Sequence, residues 1–143
     1  MINLNLRGLT ILYFFILLFI AFFFVYFSWI PTSSMSSSTL LPTWLAKWLD
    51  LESMMNIRTG FPMIGWGLIS CIYLKLNRSF IYTVFLSFLS AFILLSIAEV
   101  GQYFIPTRHA DPSDIAWGLI GNSVGIFIYY ITRSLFSLVS SFL

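Results

Sequence analysis

The chain is poor in charge. Seven Lys or Arg and five Asp or Glu make up 8% of its 143 residues, where a soluble domain carries about a quarter. So few charges cannot cover a water-soluble surface, so lipid is the solvent for most of the molecule. It has one cysteine and one histidine. Cys71 therefore has no intrachain disulfide partner, and with no His or Cys at metal-ligand spacing it reads as a packed apolar side chain. His109 has no second histidine to form an H-x-x-x-H pair, so no metal site is implied, and it reads as a solvated loop residue. A phosphate-binding glycine loop and a recognisable nucleophile–base pair are also missing, and no cofactor is called for. A net charge of +2 is too small to point to nucleic acid.

What remains is apolar: 59% of residues, with a mean hydropathy of +0.95. A helix needs about 20 apolar residues to cross a bilayer, so 1–143 has room for one domain of four spans. Apolar runs place them near 9–29, 58–74, 80–103 and 115–131. The first run contains seven phenylalanines, which suit lipid contact. It is too long for a signal peptide and lacks a small-x-small cleavage site, so it reads as a retained span. Pro62, Gly65 and Gly67 predict an irregular second span, kinked near its start. Between spans one and two, Trp44, Leu45, Trp48, Leu49 and Leu51 recur at helical spacing with Lys47, Asp50 and Glu52 among them. That pattern predicts a short helix lying in the interface. The 75–78 stretch reads as a turn, and the tail after Arg133 as a helical continuation or an interfacial segment. The expected fold class is an all-α membrane protein.

Four spans put both termini on one side, together with Arg7, Lys75, Arg78 and Arg133 and no acid. Lys47, Arg58, Arg108 and all five acids fall on the other. Positive residues in short loops favour the cytoplasm, so both termini are expected inside and the acids outside.

Three of those acids crowd into one stretch, EVGQYFIPTRHADPSD, residues 99–114. Glu99 and Gln102 are three apart and share a helix face. Glu99 lies about 27 Å along its span from Ile81 at ~1.5 Å per residue, at or just below the edge of the hydrocarbon, where a carboxylate needs a partner or water. Arg108 follows a helix-breaking Pro106 and can fold back to Glu99 as a bidentate partner. Asp111, Pro112 and Asp114 read as the cap, first position and third position of a helix. One reading is purely structural: Asp111 and Asp114 cap a helix, and Glu99 with Arg108 ties two spans together. The other is functional, because ionisable residues inside a membrane mark sites by default. Arg58, at the outer mouth of span two, either joins the cluster or snorkels to the surface. Gly118, Gly121 and Gly125 lie on one face of span four, a small-x-x-x-small pattern for close helix packing, with Asn122 beside it able to hydrogen-bond to another helix.

The run E-x-x-Q, P-x-R and D-x-x-D leading into a glycine-rich helix resembles the VanZ-like family, small bacterial membrane proteins best known for an association with teicoplanin resistance. The matching residues are Glu99, Gln102, Pro106, Arg108, Asp111, Asp114, Gly121 and Gly125. NIRTGFPMIG, from Asn56, resembles a looser version of that family's second-span motif. The likeness covers residues 56–130. The chain departs from the family pattern in having Gly118 where an Asn is common, with Asn122 four residues later, and in a longer Pro-to-Gly spacing in span two. The resemblance implies a bacterial cell-envelope protein of the cytoplasmic membrane.

Three function classes stand. In the first, an outward-facing pocket built from Glu99, Gln102, Arg108, Asp111 and Asp114, with Arg58, binds a membrane lipid or lipid-linked envelope precursor. In the second, an enzyme uses Glu99 as general acid or base, Arg108 to stabilise developing negative charge and Asp114 to orient it. In the third, the chain is a structural subunit docked on a membrane protein partner.

Overall fold

A computed structural model of the chain describes residues 6–32, 34–37, 40–51, 54–75 and 79–142. Among them are five α-helices, one short 3-10 turn and no strand. Of the expected 75–78 turn, 76–78 with Arg78 lie outside the described residues, as do Glu52 and the side chains of Arg7, Asn56 and Lys75. Four helices are long and apolar enough to cross a membrane, and the chain is an integral membrane protein.

Helix α1, Leu6–Trp29, is strongly apolar from Gly8 onward. No described side chain on it is buried, and Phe14, Phe15, Phe19 and Phe22 face outward. A 3-10 turn at Met35–Ser37 and the short helix α2, Thr43–Leu49, follow. Trp44 and Trp48, four apart, are exposed on α2 while Ala46 is buried beneath them, the arrangement expected of a helix that rests on an interface. Helix α3, Met55–Lys75, passes through Pro62 without interruption. Pro62 removes the hydrogen bond to the carbonyl four residues back, but it sits two turns from the helix start, so the rest of the ladder stays in register. Helix α4 covers Phe80–Gln102.

Helix α5, Pro112–Phe142, is longer than the expected span at both ends. Its 31 residues give about 46 Å at ~1.5 Å per residue, beyond the ~30 Å hydrocarbon core. The apolar run marks where lipid begins, whereas the helix starts earlier, at its Asp–Pro cap.

Helices α3 and α5 form the tightest contact. A Cβ on Gly121 would strike the main-chain carbonyl of Gly60, one on Gly125 the carbonyl of Ile64, and one on Gly67 the carbonyl of Asn122. From Gly60–Gly121 to Ile64–Gly125 the contact advances in the same direction along both helices, so α3 and α5 run parallel, with α4 antiparallel to both. Small residues are what permit this approach where lipid removes most of the hydrophobic drive. Gly118 faces elsewhere, toward the Leu95 side chain of α4. Met63, Trp66, Ala91, Leu94 and Leu95 form the core, covered by Leu17, Ile20, Ala21, Phe24 and Val25 of α1. Two polar bonds stitch the helices deep inside: Trp66 Nε1 donates to Ser90 Oγ at 3.1 Å, and Ser87 Oγ donates to Asn122 Oδ1 at 3.2 Å.

Gly121→Ala should lower stability by ~1–3 kcal/mol, the usual penalty for overpacking, because neither backbone can retreat. Gly118→Ala should cost less, since the Leu95 side chain can rotate away. Thermal melts of both variants in one detergent check the order, and equal losses would contradict the backbone contact.

Candidate functional site

The C-terminal ends of α1 and α4 and the N-terminal ends of α3 and α5 meet at one end of the bundle. Helix ends carry main-chain groups with no intrahelical partner, and here they are satisfied by one another's side chains. Glu99, buried in the last turn of α4, accepts a hydrogen bond from Gln102 Nε2 at 3.2 Å on Oε1 and one from the Asp111 N–H at 2.9 Å on Oε2. Gln102 Nε2 also donates to Ser28 Oγ at 2.8 Å. One carboxylate thus links α4 to the start of α5 directly and to α1 through Gln102.

Arg108 does fold back, but not to Glu99. Its Nε donates to the Ile30 carbonyl at 3.0 Å and its Nη2 to the Phe27 carbonyl at 3.1 Å. The reason lies in supply and demand for donors. Both Glu99 oxygens already have N–H partners, while the last carbonyls of α1 have none within the helix; a cation there also complements the negative end of the helix dipole. Burial, and then repulsion from Arg58, push the Arg108 guanidinium below its ordinary pKa. Thr107 Oγ1 donates to the Pro31 carbonyl, and Trp29 Nε1 to the Ala98 carbonyl at 3.1 Å. The C-terminal end of α1 is therefore pinned by hydrogen bonds to α4 and the α4–α5 loop.

Asp111 caps α5 as its spacing predicts. Its Oδ1 accepts from the Ser113 N–H at 2.8 Å, its carbonyl accepts from the Asp114 N–H at 2.9 Å, and the Ser113 bonds hold its carboxyl below the ordinary carboxylate range. Asp114 shares a hydrogen bond with the Thr59 side chain of α3. Arg58, beside Thr59, lies 3.7 Å from Asp50 Oδ1. Asp50 in turn gathers the loop after α1: it accepts from Ser34 Oγ at 2.7 Å, the Met35 N–H at 2.6 Å, and the N–H and Oγ of Ser36 at 3.0 and 2.6 Å. Burial opposes its charge, but the bonds from Ser36, Ser34 and Met35 outweigh that and hold its carboxyl well below the usual range.

Several of these residues border a cleft of about 740 Å³, within the size range of small-molecule sites. Arg58, Glu99, Gln102, Arg108, Asp111 and Asp114 all line it, with His109 at its rim. The other end is apolar, formed by Phe19, Phe23 and Phe27 of α1 and by Phe61 and Pro62 of α3. Phe19 and Phe61 are largely exposed, so the cleft opens sideways between α1 and α3. Phe19 to Phe27 is about 12 Å along the helix at ~1.5 Å per residue. Asn122 lies outside this cleft, deep between α4 and α5, where its Nδ2 has no partner. No group of three or more His, Cys, Asp or Glu among the described residues is arranged to hold a metal ion.

No family model, curated protein or solved structure matches the chain.

Reading the sequence missed Asp50, Ser28 and Thr59 as members of the site. For Asp50 a signal existed: a serine-rich loop is full of donors, and the nearest acid is its natural acceptor.

Because the Asp50 pKa is depressed on folding, its contribution is complete above the ordinary Asp range, near ~4, and is lost as pH falls through the lower folded-state value. Hydrogen-exchange protection at the Met35 and Ser36 amides should therefore drop as pH is lowered below ~4, and Asp50→Asn should weaken it at neutral pH. Protection unchanged in Asp50→Asn would rule out this anchor.

Proposed function

We propose that the chain is a VanZ-like cell-envelope protein whose cleft binds a membrane lipid or the headgroup of a lipid-linked precursor. The observation that carries this reading is the shape of the cleft: one continuous space joins a cluster of charged and amide side chains to an aromatic groove that opens toward lipid. A ligand with a polar head and a hydrocarbon tail fits both halves at once, and a soluble metabolite uses only one. The motif residues Glu99, Gln102, Arg108, Asp111 and Asp114 support it by lining a single space although they come from a helix end, a loop and a helix start. On the charge distribution of the sequence, both termini face the cytoplasm and the cleft faces outward.

A structural role is favoured by a different observation: the hydrogen bonds of Arg108 all go to main-chain carbonyls at the end of α1, which is what a scaffold lock does. Lipid identification on protein released gently from membranes, wild type beside Arg108→Ala, separates the two. Under the binding reading a specific lipid accompanies the wild type and is lost, or reduced at least tenfold, in the variant. If both carry only bulk lipid and the variant melts at a lower temperature, the cluster is scaffolding.

A further inference from the structure

The formal charges around the cleft do not balance. Arg58 and Arg108 bring two positive charges to its lining, and Glu99, Asp111 and Asp114 bring three negative ones. Asp50 adds a fourth negative charge in contact with Arg58 at 3.7 Å, which leaves two positive against four negative. A purely anionic ligand enters an unfavourable field at such a site.

Yet the site also holds donors of the kind that recognise phosphate. A guanidinium has five N–H donors in a planar fork. Arg108 commits two of them, one from Nε and one from Nη2, to Ile30 and Phe27, which leaves three. The acceptors are likewise only partly used. A carboxylate offers about four lone-pair sites, and Glu99 accepts two bonds. Asp114 accepts from Thr59 and lines the same space. Donors for an anion and acceptors for an N–H cation thus stand side by side, with the excess on the acceptor side.

We propose that the headgroup taken by the cleft carries a phosphate and a primary ammonium together, with the phosphate on Arg108 beside Arg58, the ammonium on Glu99 and Asp114, and the hydrocarbon chain along the Phe19–Phe27 side of α1. This rests on the reading of the cleft as a lipid site and adds the class of headgroup. The aromatic groove assigns the chain to the ligand, because Phe19, Phe23 and Phe61 give a water-soluble amino phosphate nothing to bind.

The test is a competition on the full chain. The purified protein is equilibrated in micelles holding equal amounts of phosphatidylethanolamine and phosphatidylglycerol with the same acyl chains, and bound lipid is read by native mass spectrometry. Wild type should retain phosphatidylethanolamine about tenfold or more over phosphatidylglycerol, the order expected for one charge-assisted hydrogen bond. Asp114→Asn, which can keep the bond to Thr59, should bring the ratio close to one, and Glu99→Gln should do the same. Phosphatidylglycerol bound as well as or better than phosphatidylethanolamine by wild type overturns the headgroup assignment and leaves the lipid site standing. A preference that survives in both variants also overturns it. Retention of neither lipid by wild type removes the lipid-site reading and this inference with it.

Discussion

The polar end of this molecule depends on how closely α5 approaches α3. Gly121 sits against the Gly60 carbonyl and Gly125 against the Ile64 carbonyl, so the two backbones are in direct contact. That contact sets the height of α5 relative to α3, and with it the neighbours of Asp114, which meets Thr59 and lies in the field of Arg58. A larger side chain at Gly121 would push α5 outward and separate those groups. Packing between two apolar helices is thus what assembles the charged site, and it begins beside that site, where Gly60 follows Thr59 and lies against the Trp117 carbonyl, one turn from Asp114.

The attachment of α1 is of another kind. Its C-terminal end is tied by Trp29, Ser28 and the carbonyls of Phe27, Ile30 and Pro31, whereas its remaining contact with the bundle is apolar side chains laid over Met63, Leu94 and their neighbours. Lipid tails are as apolar as leucine, so apolar contact alone discriminates weakly between protein and bilayer. α1 is thus held by directional bonds at one end and by non-directional apolar contact along the rest. The cleft opens along that side.

Much of this was legible in the sequence, and the legible parts share a cause. The four spans follow from apolar length, which the bilayer enforces. The α5 cap follows from Asp111 and Pro112, because capping is local chemistry. The gathering of Glu99, Gln102, Arg108, Asp111 and Asp114 follows from their nearness in the chain across one short loop. What was not legible is the choice among partners. Arg108 had a carboxylate within reach by sequence distance but bonds to carbonyls of α1, about eighty residues away in the chain. Nothing local signals that demand, since every helix ends in unpaired carbonyls and only the packed fold brings a donor to one end in particular. Thr59 was missed for the same reason, as its partner Asp114 belongs to another helix, whereas Asp50 was signalled by the serine-rich loop before it.

The composition of the cluster bears on its purpose. Removing two charges from water is costly, and apolar residues of similar volume often replace a buried ion pair at no loss of stability. A lock between helix ends needs neutral donors and acceptors, and this structure already uses them: Gln102 with Ser28, Trp29 with the Ala98 carbonyl, Thr107 with the Pro31 carbonyl. Those bonds hold α1 without any formal charge. Arg108 adds to them as a lock, and Asp50 holds its loop. Asp114 takes a hydrogen bond from the Thr59 hydroxyl, a contact that an amide makes as well, and Glu99 accepts from the Gln102 amide and the Asp111 N–H. Their charge answers that of the guanidiniums beside them: Arg108 acts on Glu99, and Arg58 and Arg108 act on Asp114. The cluster is thus two layers: neutral bonds that hold α1, and opposed charges that line the cleft.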